Sequence, residues 1–374
     1  MLLAENYLEK NRLGGLDFLR TVAISFVFLF HYPGWNAPEW YYKIVDFGWS
    51  GVDLFFVLSG YLIASQLFKA IAVNGHFSLK QFYIRRAFRI IPVYLVVLAL
   101  YFCIPLFRER EALPPLWRFL TFTQNIGLNP GEYGTFSHAW SLCIEEQFYL
   151  IFPLVLTLII FFKQEKRGFY ILVLLFVMTC LLRVFIWYKY MEPLVKSDGA
   201  YGNFWITWIY YPTHTRLDGL LSGISLACIF HFMPVVKDKI ARYGNLLLLI
   251  GLGVLTGAYF LCQIRVSFNA NIYGYPLIAI GYAFIVASAL VPSGLLSKIK
   301  WKIFSVTAAI SYSLYLTHKA IRHLAQIFFK KHGVDVQSGY MLLLCILFCC
   351  LTAFILYQVA ERPFLKWRNK ILLK

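Results

Sequence analysis

Long apolar runs are the feature that most constrains this chain. Ten such runs alternate with short polar segments, and most approach the roughly 20 residues that a helix needs to cross a bilayer. They cover residues 16–32, 45–66, 90–107, 141–162, 169–189, 214–232, 244–263, 273–291, 304–328 and 339–360. Because backbone polar groups inside lipid must bond to one another, the runs predict an all-α polytopic membrane protein with about ten transmembrane helices.

Composition excludes the main alternatives. Hydrophobic residues make up 60% of the 374 residues and charged residues only 14%, whereas ordinary soluble domains are about 45–50% apolar and about 25% charged. The 70 aromatic residues also exclude a disordered chain. No linker, repeat or low-complexity tract divides the sequence, so we expect a single membrane domain over residues 1–374 with no appended soluble domain.

The positive charge has an asymmetric distribution. The net charge is +17, and if the N-terminus lies inside, the inside segments hold 21 Lys and Arg residues against 9 in the outside segments. The positive-inside rule therefore predicts that both termini are cytoplasmic. This topology explains the charge without a nucleic-acid partner. It also makes 107–139 the longest outward loop and the candidate acceptor side.

The N-terminus and the cysteines suggest no processing or metal chemistry. Glu5 and Glu9 precede the first apolar run, and no small-residue cleavage site follows it, so we expect a retained helix rather than a signal peptide. All eight cysteines lie in apolar stretches and lack zinc or CxxC spacing. We expect small buried side chains, with no disulfide and no metal.

Arg20 and His31 lie in the first apolar run. Eleven residues separate them, which places both side chains on one helix face, roughly 16 Å apart along the axis. Ionisable groups within membrane spans are costly, and this pair offers an anion-binding group and a deeper proton-transferring group. Alternatively, Arg20 reaches the lipid headgroups and His31 bonds a backbone carbonyl.

Two further clusters of charged residues are functional candidates. Arg86 and Arg89 are neighbours on one helix face before the third apolar run, where they could clamp a phosphorylated ligand or serve as a positive-inside anchor. Glu145 and Glu146 begin the fourth run and point about 100° apart. One of them can face a cavity and orient His31, although carboxylates at a helix N-terminus also have a structural explanation.

These residues belong to six motifs that occur in the order typical of a known family. The motifs are Arg20-x10-His31, GVDLFFVLSGY at 51–61, Arg86-x-x-Arg89 followed by Pro92 and Tyr94, WSLCIEEQFYLIFP, SYSLYLTH and ERPF. Together they resemble the acyltransferase 3 family of integral membrane O-acyltransferases. The resemblance covers essentially the whole chain.

The resemblance implies a ten-helix core in the bacterial cytoplasmic membrane. It implies transfer of an acyl group, usually acetyl, from cytoplasmic acyl-CoA to a hydroxyl of a cell-envelope glycan or lipid-linked sugar. Arg20, Arg86 and Arg89 would lie near the CoA phosphates, His31 would act in acyl transfer, and Glu145 would lie near the acceptor. Many relatives carry a fused outward SGNH-type domain, and we expect no fused SGNH-type domain within residues 1–374. This chain would therefore act alone or with a separate extracytoplasmic transferase.

Alternatives remain for the chemistry and for the class of protein. We favour His31 as the base that activates the acceptor hydroxyl, oriented by Glu145, over a covalent acyl-histidine. The substrate cavity is predicted to include five further side chains, namely Ser141, Glu146, Tyr312, Tyr315 and His318. A transporter or flippase for a lipid-linked sugar is the rival class, and it would move the sugar without consuming CoA.

Overall fold

The fold is helical throughout the part of the chain that is described. A computed structural model describes residues 13–32, 36–163, 167–197 and 201–372. These residues contain no β-strand, which confirms the predicted all-α class. Lys10, Arg12, Lys166 and Lys374, which contribute to the charge asymmetry, lie outside the described residues.

The helices are numbered in chain order. They are α1 Gly14–Phe30, α2 Glu39–Asp46, α3 Gly51–Asn74, α4 Leu79–Cys103, α5 Leu116–Leu120, α6 Trp140–Phe161, α7 Gly168–Ile186, α8 Glu192–Lys196, α9 Tyr201–Trp205, α10 Asp218–Phe232, α11 Pro234–Arg242, α12 Gly244–Leu261, α13 Tyr275–Leu290, α14 Lys302–Lys331, α15 Gly339–Leu356 and α16 Arg362–Leu372. Wider π-helical turns lie at Trp187–Met191, Ile206–Tyr210, Ala270–Gly274 and Tyr357–Glu361.

Local sequence signals explain several helix ends. The Ser78 hydroxyl accepts a hydrogen bond from the Gln81 backbone N–H at 3.2 Å and caps α4. Gly75 ends α3 with a φ of 74°, a left-handed conformation that glycine adopts without the Cβ clash of other residues. Ser338 caps α15 in the same way as Ser78 caps α4.

Length and composition identify fewer candidate membrane spans than the ten apolar runs of the sequence. Within the described residues, seven segments are long and apolar enough to cross a membrane, or eight if α10 and α11, which meet at a 105° bend, form one span. The seven are Glu39–Asn74, Leu79–Cys103, Ser137–Phe161, Gly168–Lys196, Gly244–Leu261, Ala270–Leu290 and Gly339–Leu372. The predicted count of about ten is therefore not confirmed. Two other long helices are not among these segments, because α1 has only 17 residues and α14 carries Lys319 and Arg322.

The first helix lies at the centre of the bundle. It packs against α3, α13 and α14, and Ala23, Ile24 and Val27 on its inner face are almost completely buried. Gly51 permits the contact with α3, because a Cβ there would lie 2.6 Å from the Ala23 carbonyl oxygen. Small residues commonly allow such close helix approaches in membranes. The inner face of α1 is therefore covered by protein along its length.

Two buried ion pairs connect α10 and the turn before it to the neighbouring helices. Arg183 of α7 forms a bidentate pair with Asp218 of α10, with N–O distances of 2.5 and 2.9 Å. Arg216, just before α10, bonds Asp53 of α3 at 2.8 Å. All four side chains are at most 3% exposed. These pairs fix the aromatic residues around Arg216, which form one wall of a cavity described below.

Candidate active site

A cavity of about 290 Å³ collects most of the charged residues predicted from the sequence. We call it the arginine cavity, and its polar lining comes from α1, α3, α4, α6 and α14. These polar lining residues are Arg20, Ser59, Gln66, Arg86, Arg89, Ser141, Glu145, Tyr149, Ser311, Tyr312 and Tyr315. Seven of the ten predicted site residues therefore meet in one place, although they come from four separate helices.

Arg86 and Arg89 carry charge that is not neutralised by an ion pair among the described residues. Arg86 bonds only the Gln66 side-chain oxygen, at 3.3 Å, and its guanidinium lies 5.3 Å from the Tyr149 ring centre. Its Nε is buried without a hydrogen-bond partner. Arg20 differs, because it lies 3.7 Å from Asp17 on its own helix. The two α4 arginines are thus available for an anionic ligand.

A second, larger cavity adjoins this site. It has a volume of about 690 Å³ and shares Gln66, Arg86 and Arg89 with the arginine cavity. We call it the basic vestibule because its lining adds three more cations and, within the described residues, no carboxylate. The added cations are Lys69, Arg85 and Arg368. Such a surface concentrates polyanions.

Glu145 lies in the arginine cavity and is not bonded to His31. Its Oε1 accepts a hydrogen bond from Ser59 of α3 at 2.5 Å. The expected orientation of His31 by Glu145 is therefore wrong for this structure, because Glu145 of α6 faces α3 and α4, whereas His31 lines another cavity. Glu146 lines neither the arginine cavity nor the cavity that contains His31. Its Oε1 is buried without a hydrogen-bond partner among the described residues.

His31 lines a third cavity, of about 400 Å³, which we call the histidine cavity. Its ionisable lining residues are His31, Arg110, His138, Arg265 and Lys319, together with a wall of tyrosines. Val52 and Tyr315 line both this cavity and the arginine cavity. Arg20 and His31, which the sequence places on one helix face, therefore line two cavities with a common wall.

The hydrogen bonds of His31 define its tautomer. Nδ1 lies 2.9 Å from the Val27 carbonyl oxygen, which can only accept, so Nδ1 carries the proton. His318 Nδ1 lies 2.7 Å from the Tyr315 carbonyl oxygen, so the opposite nitrogen of His318, Nε2, has a free lone pair. That Nε2 lies 3.2 Å from His31 Nδ1, so it accepts the same N–H that the Val27 carbonyl oxygen accepts, in a bifurcated hydrogen bond. His31 Nε2 is consequently left unprotonated, as a base requires.

His318 takes the orienting role that the sequence had suggested for Glu145. His31 also forms the hydrogen bond to a backbone carbonyl that a purely structural histidine would form. The Val27 contact is therefore compatible with both the structural and the catalytic interpretation of His31. A third imidazole, His138, completes a cluster, with ring centres 4.9 Å from His318 and 6.3 Å from His31. His138 Nε2 lies 3.3 Å from the Leu316 carbonyl oxygen.

Tyr315 connects the two cavities through its hydroxyl. The hydroxyl donates to the His138 carbonyl oxygen and lies 2.6 Å from the Ser141 hydroxyl. Tyr312, one turn earlier on α14, instead donates to the Ile90 carbonyl oxygen of α4 at 3.1 Å. Both tyrosines line the arginine cavity, as predicted, and Tyr315 also borders the histidine cavity.

Sequence reasoning missed residues whose position depends on tertiary packing. His138 is visible next to the Trp140 motif, but no spacing places it beside His318. Lys319 pairs with Glu109 of the 107–139 loop at 3.6 Å, and this long-range contact has no sequence signal. Arg85 lies beside the predicted Arg86 and Arg89 but was given no role of its own, and Lys69 was counted only for topology.

The structure so far defines a polytopic helical membrane protein with a basic cavity, an imidazole cluster and a common wall between them. The chain belongs to the acyltransferase family whose profile is described as "Acyltransferase domain", which matches residues 13–358. This is the family that the sequence motifs resemble.

Curated relatives extend this result. O-acetyltransferase OatA of Staphylococcus aureus strain NCTC 8325 is 30% identical over 97% of this chain and 58% of the relative, and OatA of strain COL matches equally well. A further protein of strain COL is 29% identical over 96% of this chain. The chain thus spans about 58% of the length of these relatives. No solved structure matches it significantly.

Proposed function

We propose that this chain is a membrane O-acetyltransferase that moves an acetyl group from cytoplasmic acetyl-CoA to a hydroxyl of a cell-envelope glycan or lipid-linked sugar. The observation that carries the proposal is the common wall at Val52 and Tyr315. It lies between a cavity whose two α4 arginines form no ion pair among the described residues and a cavity with a free imidazole nitrogen. A donor held on one side therefore lies next to a base on the other.

The proposed topology has ten spans within one membrane domain over residues 1–374. They are the seven apolar segments, the bent α10–α11 pair, α1 and α14. Both termini lie in the cytoplasm of a bacterium, and the membrane is the cytoplasmic one. The basic vestibule then opens to the cytoplasm, because its cations belong to segments on the Lys- and Arg-rich side. The histidine cavity opens outward.

The donor is proposed to bind through its phosphates. Acetyl-CoA is polyanionic, and Lys69, Arg85 and Arg368 offer charge without a competing carboxylate in the vestibule lining. Arg86 and Arg89 continue this charge into the arginine cavity, where charge-assisted hydrogen bonds to phosphate are strong. The pantetheine arm would extend past Arg20 towards the common wall. No metal is assigned a role.

The proposed reaction is direct transfer at the common wall. His31 Nε2 takes the proton from the acceptor hydroxyl, the oxygen attacks the thioester carbonyl carbon, and a C–O bond forms. The C–S bond then breaks, and the sulfur leaves as thiolate and takes up a proton to give CoA thiol. A thioester is already activated, so positioning and general base catalysis supply most of what is needed.

The other predicted residues receive supporting roles. His318 accepts from His31 Nδ1 and stabilises the imidazolium that forms. Glu145, which stays a predicted catalytic residue, would act from the arginine cavity through its bond to Ser59. Ser141, Tyr312 and Tyr315 would border the acyl arm. Glu146 would act only if its carboxylate turned into the cavity.

Replacing the base tests the proposal. The His31→Ala variant in proteoliposomes should lose acetyl transfer while still binding acetyl-CoA, because the arginines are unchanged. His332→Ala is the matched control, since His332 is exposed and also bonds a backbone carbonyl, that of Phe328, at 2.8 Å. Transfer is read as labelled CoA release and as an acetyl mass on envelope glycans. Full activity of His31→Ala would remove His31 from the chemistry.

The same assay separates the remaining alternatives. An acyl-histidine route would leave label on the protein after rapid quenching, whereas direct transfer leaves none. A transporter would move the lipid-linked sugar without releasing CoA. If release requires cell extract in addition to the purified chain, a separate extracytoplasmic transferase completes the reaction.

A further inference from the structure

The histidine cavity has an aromatic wall that is independent of its imidazoles. Trp140 stacks on Tyr211 with ring centres 5.1 Å apart and planes 29° apart. Trp205 stacks on Tyr210 at 4.9 Å, and Tyr210 lies 4.9 Å from Trp140. The four rings pack on one another and line one side of the cavity. A cavity side made of aromatic side chains suits the apolar C–H groups of sugar rings.

The wall is held rigid from behind. The Arg216 guanidinium lies 4.9 Å from the Tyr210 ring centre and 5.7 Å from that of Trp140. Arg216 is itself fixed by Asp53 at 2.8 Å. Because this support is buried, the aromatic surface is formed before any ligand arrives, which lowers the entropic cost of binding.

The same cavity is positively charged. Three cations line it, Arg110, Arg265 and Lys319, and among the described lining residues there is no carboxylate. Lys319 is paired with Glu109, and Arg265 lies 3.8 Å from Asp46, but neither carboxylate is among the lining residues. Arg110 forms no ion pair within the described residues. Its Nη1 donates only to the Pro130 carbonyl oxygen, at 3.1 Å.

Arg110 is held in place although it is exposed. Its side chain lies directly over Gly134, where a Cβ would be 2.3 Å from Arg110 Cδ. The 107–139 loop therefore needs glycine at 134 to seat the arginine stem, and the guanidinium is directed to the cavity lining. This arrangement differs from that of a freely rotating surface arginine.

From these observations we infer that the histidine cavity binds an acidic saccharide, meaning a sugar that bears a carboxylate or a phosphate. The inference rests on the proposed function, because it names the acceptor class for the same site. The sugar ring would stack on the aromatic wall, and its acidic group would bond Arg110 and Arg265. This places a ring hydroxyl near His31, which lines the same cavity.

Equilibrium binding to the purified full-length chain tests the inference without an acyl donor. Saturation-transfer NMR titrations would compare methyl β-glucoside, methyl β-glucuronide and glucose 1-phosphate. Acetate and inorganic phosphate serve as anions without a sugar. We expect the glucuronide or the sugar phosphate to bind roughly tenfold or more tightly than the neutral glucoside, as charge-assisted hydrogen bonds allow. Whichever of the glucuronide and the sugar phosphate gains more affinity over the glucoside identifies the acidic group, carboxylate or phosphate, that the cavity prefers.

Three variants locate the effect. Arg110→Gln combined with Arg265→Gln should abolish the preference for the acidic sugar. Gly134→Ala keeps every charge but displaces the Arg110 stem, and it should weaken the preference as well. Arg118→Gln is the matched control, because Arg118 lies in the same loop outside the cavity lining, and it should leave the preference unchanged.

Each other outcome overturns the inference. Equal binding of neutral and acidic sugars, a preference that persists in the double variant, or no saccharide binding would each exclude the proposed acceptor class. Acetate or phosphate binding as tightly as the acidic sugar would indicate an anion site alone. None of these results depends on turnover, so the acetyl-transfer proposal would stand or fall separately.

Discussion

Two sets of arginines on the helices of this molecule differ in what neutralises them. Arg183 and Arg216, between α3, α7 and α10, each bond a buried aspartate, and Arg183 does so twice. Arg86 and Arg89 of α4 form no ion pair among the described residues, and they border two connected cavities. The first set connects helices, and the second is open to a ligand.

The difference shows how charge inside a membrane protein divides between structure and function. A buried charge is costly unless it is paired, so the paired arginines need no ligand to explain them. An arginine that borders an open cavity and forms no ion pair within the described residues is more readily explained by an anion that arrives from outside. The comparison predicts that substitutions in the two sets will change different measurable quantities.

The largest expected effect is on stability, in the paired set. Asp218→Asn leaves Arg183 charged and fully buried, and the free energy of unfolding should fall by about 3–5 kcal/mol. Little folded protein should be recovered, as measured by size-exclusion yield and thermal unfolding in detergent. The double variant Arg183→Met with Asp218→Leu should restore much of the loss, because no buried charge remains. An unchanged yield for Asp218→Asn would break the comparison.

A smaller effect, on donor binding, is expected in the open set. Arg86→Gln together with Arg89→Gln should raise the KM for acetyl-CoA about 10- to 100-fold, because charge-assisted bonds to phosphate are lost. Thermal unfolding should change little. Lys298→Gln with Lys300→Gln removes the same charge outside the cavity linings and is the control. If only the yield of folded protein falls, these arginines are membrane anchors.

Much of the fold could be predicted because its signals are local. Apolar runs and helix-spaced motifs gave the all-α class and the candidate residues on each helix. Helix number was harder, because α14 is amphipathic and α10 turns by 105° into α11. A helix with polar residues is stable inside the bundle when neighbouring helices cover those residues. Hydropathy is calculated along the sequence, so it contains no information on which helices are neighbours in the fold.

The site was predicted in part for the same reason. Helical spacing correctly grouped Arg86 with Arg89, and both line the arginine cavity. Spacing could not select the partner of His31, since His318 lies 287 residues away and is brought close only by the packing of α14 on α1. Glu145 was chosen as partner from chemistry alone, and the packing of α6 places it beside Ser59.

The smallest expected effect tests which part of Tyr275 stabilises the paired set. The ring centre lies 4.2 Å from the Arg216 guanidinium, whereas the buried hydroxyl has no hydrogen-bond partner among the described residues. Tyr275→Phe keeps the aromatic face and removes an unsatisfied group, so the free energy of unfolding should change by less than about 0.5 kcal/mol. Tyr275→Leu removes the face and should cost about 2 kcal/mol. If the two variants unfold at the same temperature, the contact of Arg216 with the Tyr275 ring contributes nothing, and Asp53 with the rings of Tyr210 and Trp140 compensates the Arg216 charge.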